Sequence, residues 1–308
     1  MGKYFLQRIF YMLITLLIII TITFFLMQLL PGTPFSNPEK LSEQQLKLMT
    51  AKYGLDQPLA VQYFTYVANL FQGDLGISFQ SDGRTVLNVL STRIGPSSLI
   101  GLQGMILGFI LGLILGVISA LKHNTIYDYG AVFLAVIGMS IPNFVFAALL
   151  QYFVGVKLGW LPAALWKGYD HSIMPSVALS VMVIATVARF VRTEMLEVLG
   201  QDYVLTARAK GLSEFVVIIK HVLRNALIPV ITVMGPLAVS ILTGTLVIEK
   251  IFAVPGLGEQ FTKSILVNDY SVIMGITLFF SAVFILVVFI VDVLYVVLDP
   301  RITLGKER

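Results

Sequence analysis

Few side chains in this 308-residue chain could do chemistry, and what they exclude is as informative as what they allow. The three histidines, His123, His171 and His221, fall in different loops, with no HExxH pair among them. There is no cysteine, so a thiol nucleophile and a disulfide framework are both ruled out, and no metal site is expected. No GxSxG nucleophile turn occurs. No GxxxxGK phosphate loop occurs either: Gly2-Lys3 and Gly305-Lys306 are followed by Tyr4 and Glu307. Any ATP chemistry by that route must sit on other chains. The polar groups that remain lie in or beside apolar runs. Asp292 is close to the end of the last run, and Arg189 and Arg192 follow the end of an earlier one. These three suit a structural ion pair or, less simply, a proton relay. Asn143 and Gln151 lie near a mid-run Pro142, where they can hydrogen-bond between helices or line a water-filled path.

The other candidate is a polar insert, Asp202 to Lys210, between two apolar runs. Leu, Ala, Arg and Lys are strong helix formers, Asp202 suits an N-cap, and Gly211 is a natural stop. A helix of two or three turns is marginal alone in water and needs tertiary contact. A second, amphipathic helix is expected from about Ser213 to Asn225. It would carry Phe215, Ile218, Ile219 and Val222 on one side and Lys220 and Arg224 on the other, with Pro229 opening the next run. A short helix with an alanine face and basic flanks fits a groove on a partner. It also fits a basic loop lying on lipid headgroups.

The elements that must position these residues are membrane spans. The chain is 57% hydrophobic and 12% charged, against about 25% charged in a soluble domain. Six charge-free runs stand out: Ile9–Pro38, Ile94–Leu121, Tyr129–Val156, Ser172–Ala188, Asn225–Ile248 and Tyr270–Val291. A spanning helix needs about 20 apolar residues, so the expectation is an all-α integral membrane protein with six transmembrane helices. Lys3, Arg8, Lys122, Arg189, Arg192, Arg208, Lys210, Lys220, Arg224, Arg301, Lys306 and Arg308 fall on one side, against Lys157, Lys167, Lys250 and Lys263 in the short loops of the other. This bias predicts N-in/C-in orientation and a cytoplasmic insert. The same bias explains the net charge of +4 and calls for no nucleic-acid partner. The first run, basic at its start and ending in MQLLPGTP, reads as an uncleaved span rather than a signal peptide.

The expected organisation is residues 1–30 as the N-terminus and first span, and 31–96 as an extracytoplasmic loop. Residues 97–297 form a five-helix core containing a cytoplasmic loop at 193–228, and 298–308 form a cytoplasmic tail. In the first loop, Ser42 and Gln45 have capping-box spacing, Leu41 and Leu46 sit at staple positions, and Gly54 is a plausible stop. Pro58 can open a helix toward Phe71, and Gly73–Gly76 reads as a turn. Gly104, Gly108, Gly112 and Gly116 share one helical face, which permits close backbone approach. Pro96-Ser97 and Pro175-Ser176 read as the starts of two spans. Pro142 predicts a kink or break.

TARAKG (Thr206–Gly211), with Pro229 beyond it, resembles the EAA-type loop of ATP-binding-cassette importer permeases. Leu205 stands at the position of that loop's leading Glu, and the distance to Pro229 is longer than in the general pattern. LLPGTP (Leu29–Pro34), YGLDQPLAVQY (Tyr53–Tyr63), GDLGISF (Gly73–Phe79), VPGLG (Val254–Gly258), NDY (Asn268–Tyr270) and LDPRI (Leu298–Ile302) extend the resemblance over the chain. In order and position they are similar to the first permease subunit of oligopeptide/dipeptide importers. The resemblance implies a type I importer permease fold in the bacterial or archaeal cytoplasmic membrane. It also implies a coupling helix, in which Asp202, Tyr203, Ala207, Arg208, Ala209, Lys210 and Gly211 engage a cleft of an ATPase subunit. Expected partners are a second homologous permease, two ATPase subunits holding ATP and Mg, an extracytoplasmic substrate-binding protein, and the lipid bilayer. No cofactor is expected on this chain. Relatives in this branch carry dipeptides, longer peptides, nickel complexes and some sugars. The alternative is an ion-coupled secondary transporter using Asp292.

Overall fold

The computed structural model describes residues 2–30, 33–35, 42–81 and 83–298. Leu41, with its staple contact, and the tail after Leu298 lie outside them. The described residues are mainly helical. The elements are α1 (Gly2–Gln28), α2 (Glu43–Lys52), α3 (Leu59–Phe71), α4 (Val86–Leu121), α5 (Ile126–Ser140) and α6 (Asn143–Leu150), the last continued by a π-helical segment, Gln151–Lys157. Then come α7 (Asp170–Leu199), α8 (Asp202–Ala209), α9 (Glu214–Val216), a second π-helical segment (Val217–Leu223), α10 (Arg224–Phe252), α11 (Leu257–Leu266) and α12 (Tyr270–Leu298). Two compact units form, one from residues 1–95 and 256–285, the other from 96–255 and 286–308.

In the first unit, short polar signals set the helix ends. The Ser42–Gln45 capping box closes in both directions, at 3.2 and 2.9 Å. Gly54 and Gly73 take positive φ directly after α2 and α3. Thr85 Oγ1 accepts from the Asn88 amide, so α4 starts at Val86, ten residues before the expected Pro96. Pro96 and Pro175 both lie inside helices rather than at their first turns. Val86, Leu90, Leu257, Val272 and Ile276 form a small apolar core. Two motifs some 190 residues apart meet beside it. Asp269 Oδ2 accepts from Ser78 Oγ, and Oδ1 accepts from the Phe79 amide at 3.1 Å. Gln80 Nε2 donates to the Val267 carbonyl at 2.6 Å. These bonds join GDLGISF to NDY across the unit.

The second unit is built around α7. Its Ser172, Ser176 and Ser180 are buried along with Met174, Leu179, Val183, Val187 and Val191. The glycine face of α4 lies on it in register. A Cβ added at Gly104, Gly108, Gly112 or Gly116 would fall 2.9, 2.5, 2.8 or 2.7 Å from the Cβ of Leu179, Val183, Val187 or Val191. Both series ascend together, so α4 and α7 run parallel. The chain between them must therefore cross back. It does so as a broken helix: α5 and α6 with its π-segment meet at a bend of 101° beside Pro142. This pair tracks α7 in reverse. Asp128 bonds Arg192, Gly138 sits against Ala185 and Val181, and Gly155 against Met174. α5 alone, at 15 residues, is about 22 Å long and too short for a bilayer core of about 30 Å. Among the described residues five helices are long and apolar enough to cross a membrane, and the bent pair, taken as one span, brings the number to six.

Candidate functional site: a short anchored helix and a buried clamp

α7 ends at Leu199 with Gly200, and α8 starts two residues later with Gln201 as its cap residue. Val204 and Ala207, three apart, point inward and are buried with Val217 and Val222 in the α7-centred core. Val217 and Val222 are five apart, and the π-helical segment that contains them, with its i to i+5 hydrogen bonding, brings them onto one side. The outward face of α8 carries Asp202, Tyr203, Leu205, Thr206, Arg208 and Ala209, with Lys210 and Gly211 following, all exposed. Gly211 has φ +78°, and a Cβ there would meet nothing within 4 Å, so its role is backbone conformation rather than space. Arg208 fixes the turn that follows by a two-pronged pair with Glu214, Nη2 to Oε1 at 2.6 Å and Nε to Oε2 at 3.2 Å. Asn225 Nδ2 donates to Tyr203 Oη at 3.1 Å, tying α8 to the start of α10.

Two expectations change here. Ala207 faces the protein's own core, because a helix of 8 residues can be held in place only by turning its small apolar residues inward. The amphipathic stretch after Ser213 is not a separate helix: α9, the π-segment and α10 form one uninterrupted helical path, with Pro229 inside it. Phe215 and Ile219 are exposed, while Val217 and Val222 are the buried pair.

The sequence places Arg189 and Arg192 opposite Asp292. In the structure Arg192 is committed to Asp128, Nε to Oδ1 at 2.6 Å and Nη2 to Oδ2 at 2.9 Å. Asp128 is 1% exposed and also accepts from Ser119 Oγ and from the Asn124 amide at 3.0 Å. His123 Nδ1 lies 3.0 Å from Asp128 Oδ2 and 3.2 Å from Arg192 Nη2. One ring nitrogen cannot donate to the first and accept from the second, so the tautomer selects one contact. Asp128 sits in the first turn of α5, where the helix dipole favours a carboxylate. The signal for it was an acid three residues past Thr125, just before an apolar run. Arg189 lies one turn before Arg192 and borders a cavity of about 40 Å³ between α5 and α7. Asp292 follows Val291, which lies against Gly235 of α10.

Asn143 is the first residue of α6, directly after the break at Pro142, and is half-buried. Gln151 Nε2 donates to the carbonyls of Ala163 at 2.9 Å and Ile251 at 2.7 Å, holding the loop before α7 to the end of α10. Sequence reasoning passed over Glu249, which is fully buried in α10 and accepts from Ser97 Oγ at 2.6 Å.

Comparison with known proteins places this arrangement. Residues 112–304 match the family described as binding-protein-dependent transport system inner membrane component, and residues 1–94 match its N-terminal companion. The dipeptide transport system permease protein DppB of Bacillus subtilis is 47% identical over 307 residues, covering all of both chains. The DppB of Lactococcus lactis is 45% identical over 99% of this chain and all of that one. The oligopeptide transport system permease protein OppB of Escherichia coli K12 is 42% identical over 98% of this chain and 99% of that one. Among solved structures, an inward-facing form of the MetNI methionine ABC transporter aligns with a TM-score of 0.57 at 19% identity, over 68% of this chain and 96% of that one. The full-length matches and the shared fold agree: the chain belongs to the binding-protein-dependent transport system inner membrane component family.

Proposed function

We propose that this chain is the membrane-spanning permease subunit of an ATP-binding-cassette importer for dipeptides or oligopeptides, working in the cytoplasmic membrane. It would enclose the path with a second, homologous permease. Two ATPase subunits would hold ATP and Mg and dock from the cytoplasm, and an extracytoplasmic binding protein would deliver substrate. N- and C-termini both face the cytoplasm in this reading, as the Lys and Arg bias favours. Peptides are the cargo named for the full-length relatives.

The observation that carries the reading is the construction of α8. A helix of 8 residues is fastened by Val204 and Ala207 to the core of α7 and α10, and turns Tyr203, Leu205, Thr206 and Arg208 outward. A push on that outer face reaches α7 through the two residues Gly200 and Gln201, and reaches α10 across the short turn held by Arg208 and Glu214 and then along the continuous helical path that starts at Glu214. Closure of the ATPases on ATP can therefore shift the equilibrium between inward- and outward-facing forms, provided the contacts differ in free energy between them. Ion-coupled transport by this chain alone has no support among its relatives.

The test is peptide uptake by vesicles containing the assembled complex, driven by internal ATP. Leu205→Asp, on the exposed face, should abolish uptake while leaving insertion and the fold intact. Gly211→Asp, strained at positive φ, should do the same. Uptake that follows an ion gradient and ignores ATP would refute the reading.

A further inference from the structure

The network at Asp128 is not part of the α8 face, and docking of an ATPase does not account for it. Its donors come from three places: Ser119 in the last turn of α4, the Asn124 amide between α4 and α5, and Arg192 in α7. Ala131, Ala135 and Ala188 line the cavity of about 40 Å³ next to Arg192. The ion pair and its hydrogen bonds fasten the first turn of α5 to α7 and to the end of α4, ahead of the packed Ala131 and Ala135. Farther along, Gly138 touches Ala185, and the glycine face of α4 already lies on α7 at closest approach. At Ile141 and Pro142 the backbone becomes extended (ψ 121° and 136°), and the path turns by 101°. Pro142 has no N–H to continue the ladder.

We propose that Asp128 is a positioning residue for transport. It locks α4, α5 and α7 into one block that moves together with α8, and the break at Ile141–Pro142 takes up the displacement between α5 and α6. This rests on the importer reading above. Displacement collects at the break because packed, clamped helices shift as bodies while an interrupted hydrogen-bond ladder can change its backbone angles.

The chain has no cysteine, so a disulfide can test the block directly. In the assembled complex, the pair Gly138→Cys and Ala185→Cys joins α5 to α7 just before the break. If the block travels as one body, the oxidised complex takes up peptide in an ATP-driven manner as well as the reduced one does. Loss of uptake on oxidation, restored by reductant, would overturn the proposal, and so would failure of the bond to form. Asp128→Asn supplies the converse. Transport per ATP should fall by about tenfold or more, within the usual range of coupling between sites, with ATP hydrolysis continuing. The oxidised 138–185 bond should restore coupling in that variant. An unchanged transport-to-ATP ratio in Asp128→Asn would contradict the role. If the unmodified complex shows no ATP-driven uptake, the importer reading itself fails, which separates the two failures.

Discussion

Two of the buried carboxylates, Asp128 in one unit and Asp269 in the other, are satisfied in different ways. Asp128 and Asp269 are 1% and 2% exposed, and each stands at the N-terminal end of a helix. Asp128 faces a guanidinium that grips both its oxygens and brings three helices together. Asp269 has neutral donors, a serine hydroxyl and a backbone amide, and these staple the loop at Ser78–Phe79. Removing the acid therefore has unequal consequences. Without Asp128 a charge is left stranded between helices. Without Asp269 only a hydroxyl and an amide lose a partner, in a loop that can reach water.

Asp128→Ala should be the most damaging change, at about 3 kcal/mol or more, because the partly exposed Arg192 loses the carboxylate that grips it and the Ser119 hydroxyl and Asn124 amide lose their acceptor. Thermal unfolding of the purified complex would measure it, and Arg192→Met combined with it should recover part of the loss. Gly108→Val comes next, at about 3 kcal/mol, the upper end for overpacking, since its Cβ would lie 2.5 Å from that of Val183. Cysteine-accessibility mapping along α4 should show it lifting from α7. Asp269→Ala should cost about 1–3 kcal/mol and appear as faster hydrogen exchange at residues 77–81, with the second unit unchanged. If it matched Asp128→Ala in size, the contrast between charged and neutral partners would be wrong. The smallest effect, about 1 kcal/mol, belongs to Ser42→Ala, which opens the capping box of α2 and should raise exchange only near residues 43–52.

What could be read from the sequence was local or periodic. The Ser42–Gln45 box, the helix from Pro58 toward Phe71, the glycine face of α4 and the break at Pro142 depend on neighbours within a turn or two, and each formed as expected. Contacts between distant residues were less legible. Asp128 was hidden because nothing in TIYDYG indicates that Arg192, 64 residues later, lies across from it. Ala207 was placed outward because composition gives no direction to a short helix, and its inward turn is set by Val217 and Val222 across the core. The start of α4 at Val86 was missed because Thr85 is a weaker cap signal than Pro96-Ser97 is a breaker signal, and packing onto α11 and α12 carries the helix through the proline. The continuous path from Glu214 into α10 depends on a π-helical turn, for which the sequence has no simple period.

The most direct test of the central claim is a cross-link from the outer face of α8. With Leu205→Cys as the only cysteine in the chain, a short thiol-reactive cross-linker is applied to the complex purified from the membrane, with Leu266→Cys at the end of α11 as control. The account predicts an adduct from position 205 to an ATP-hydrolysing subunit, changing in yield when ATP is bound, and none from position 266. A complex that contains such a subunit but gives no adduct at 205 would contradict it.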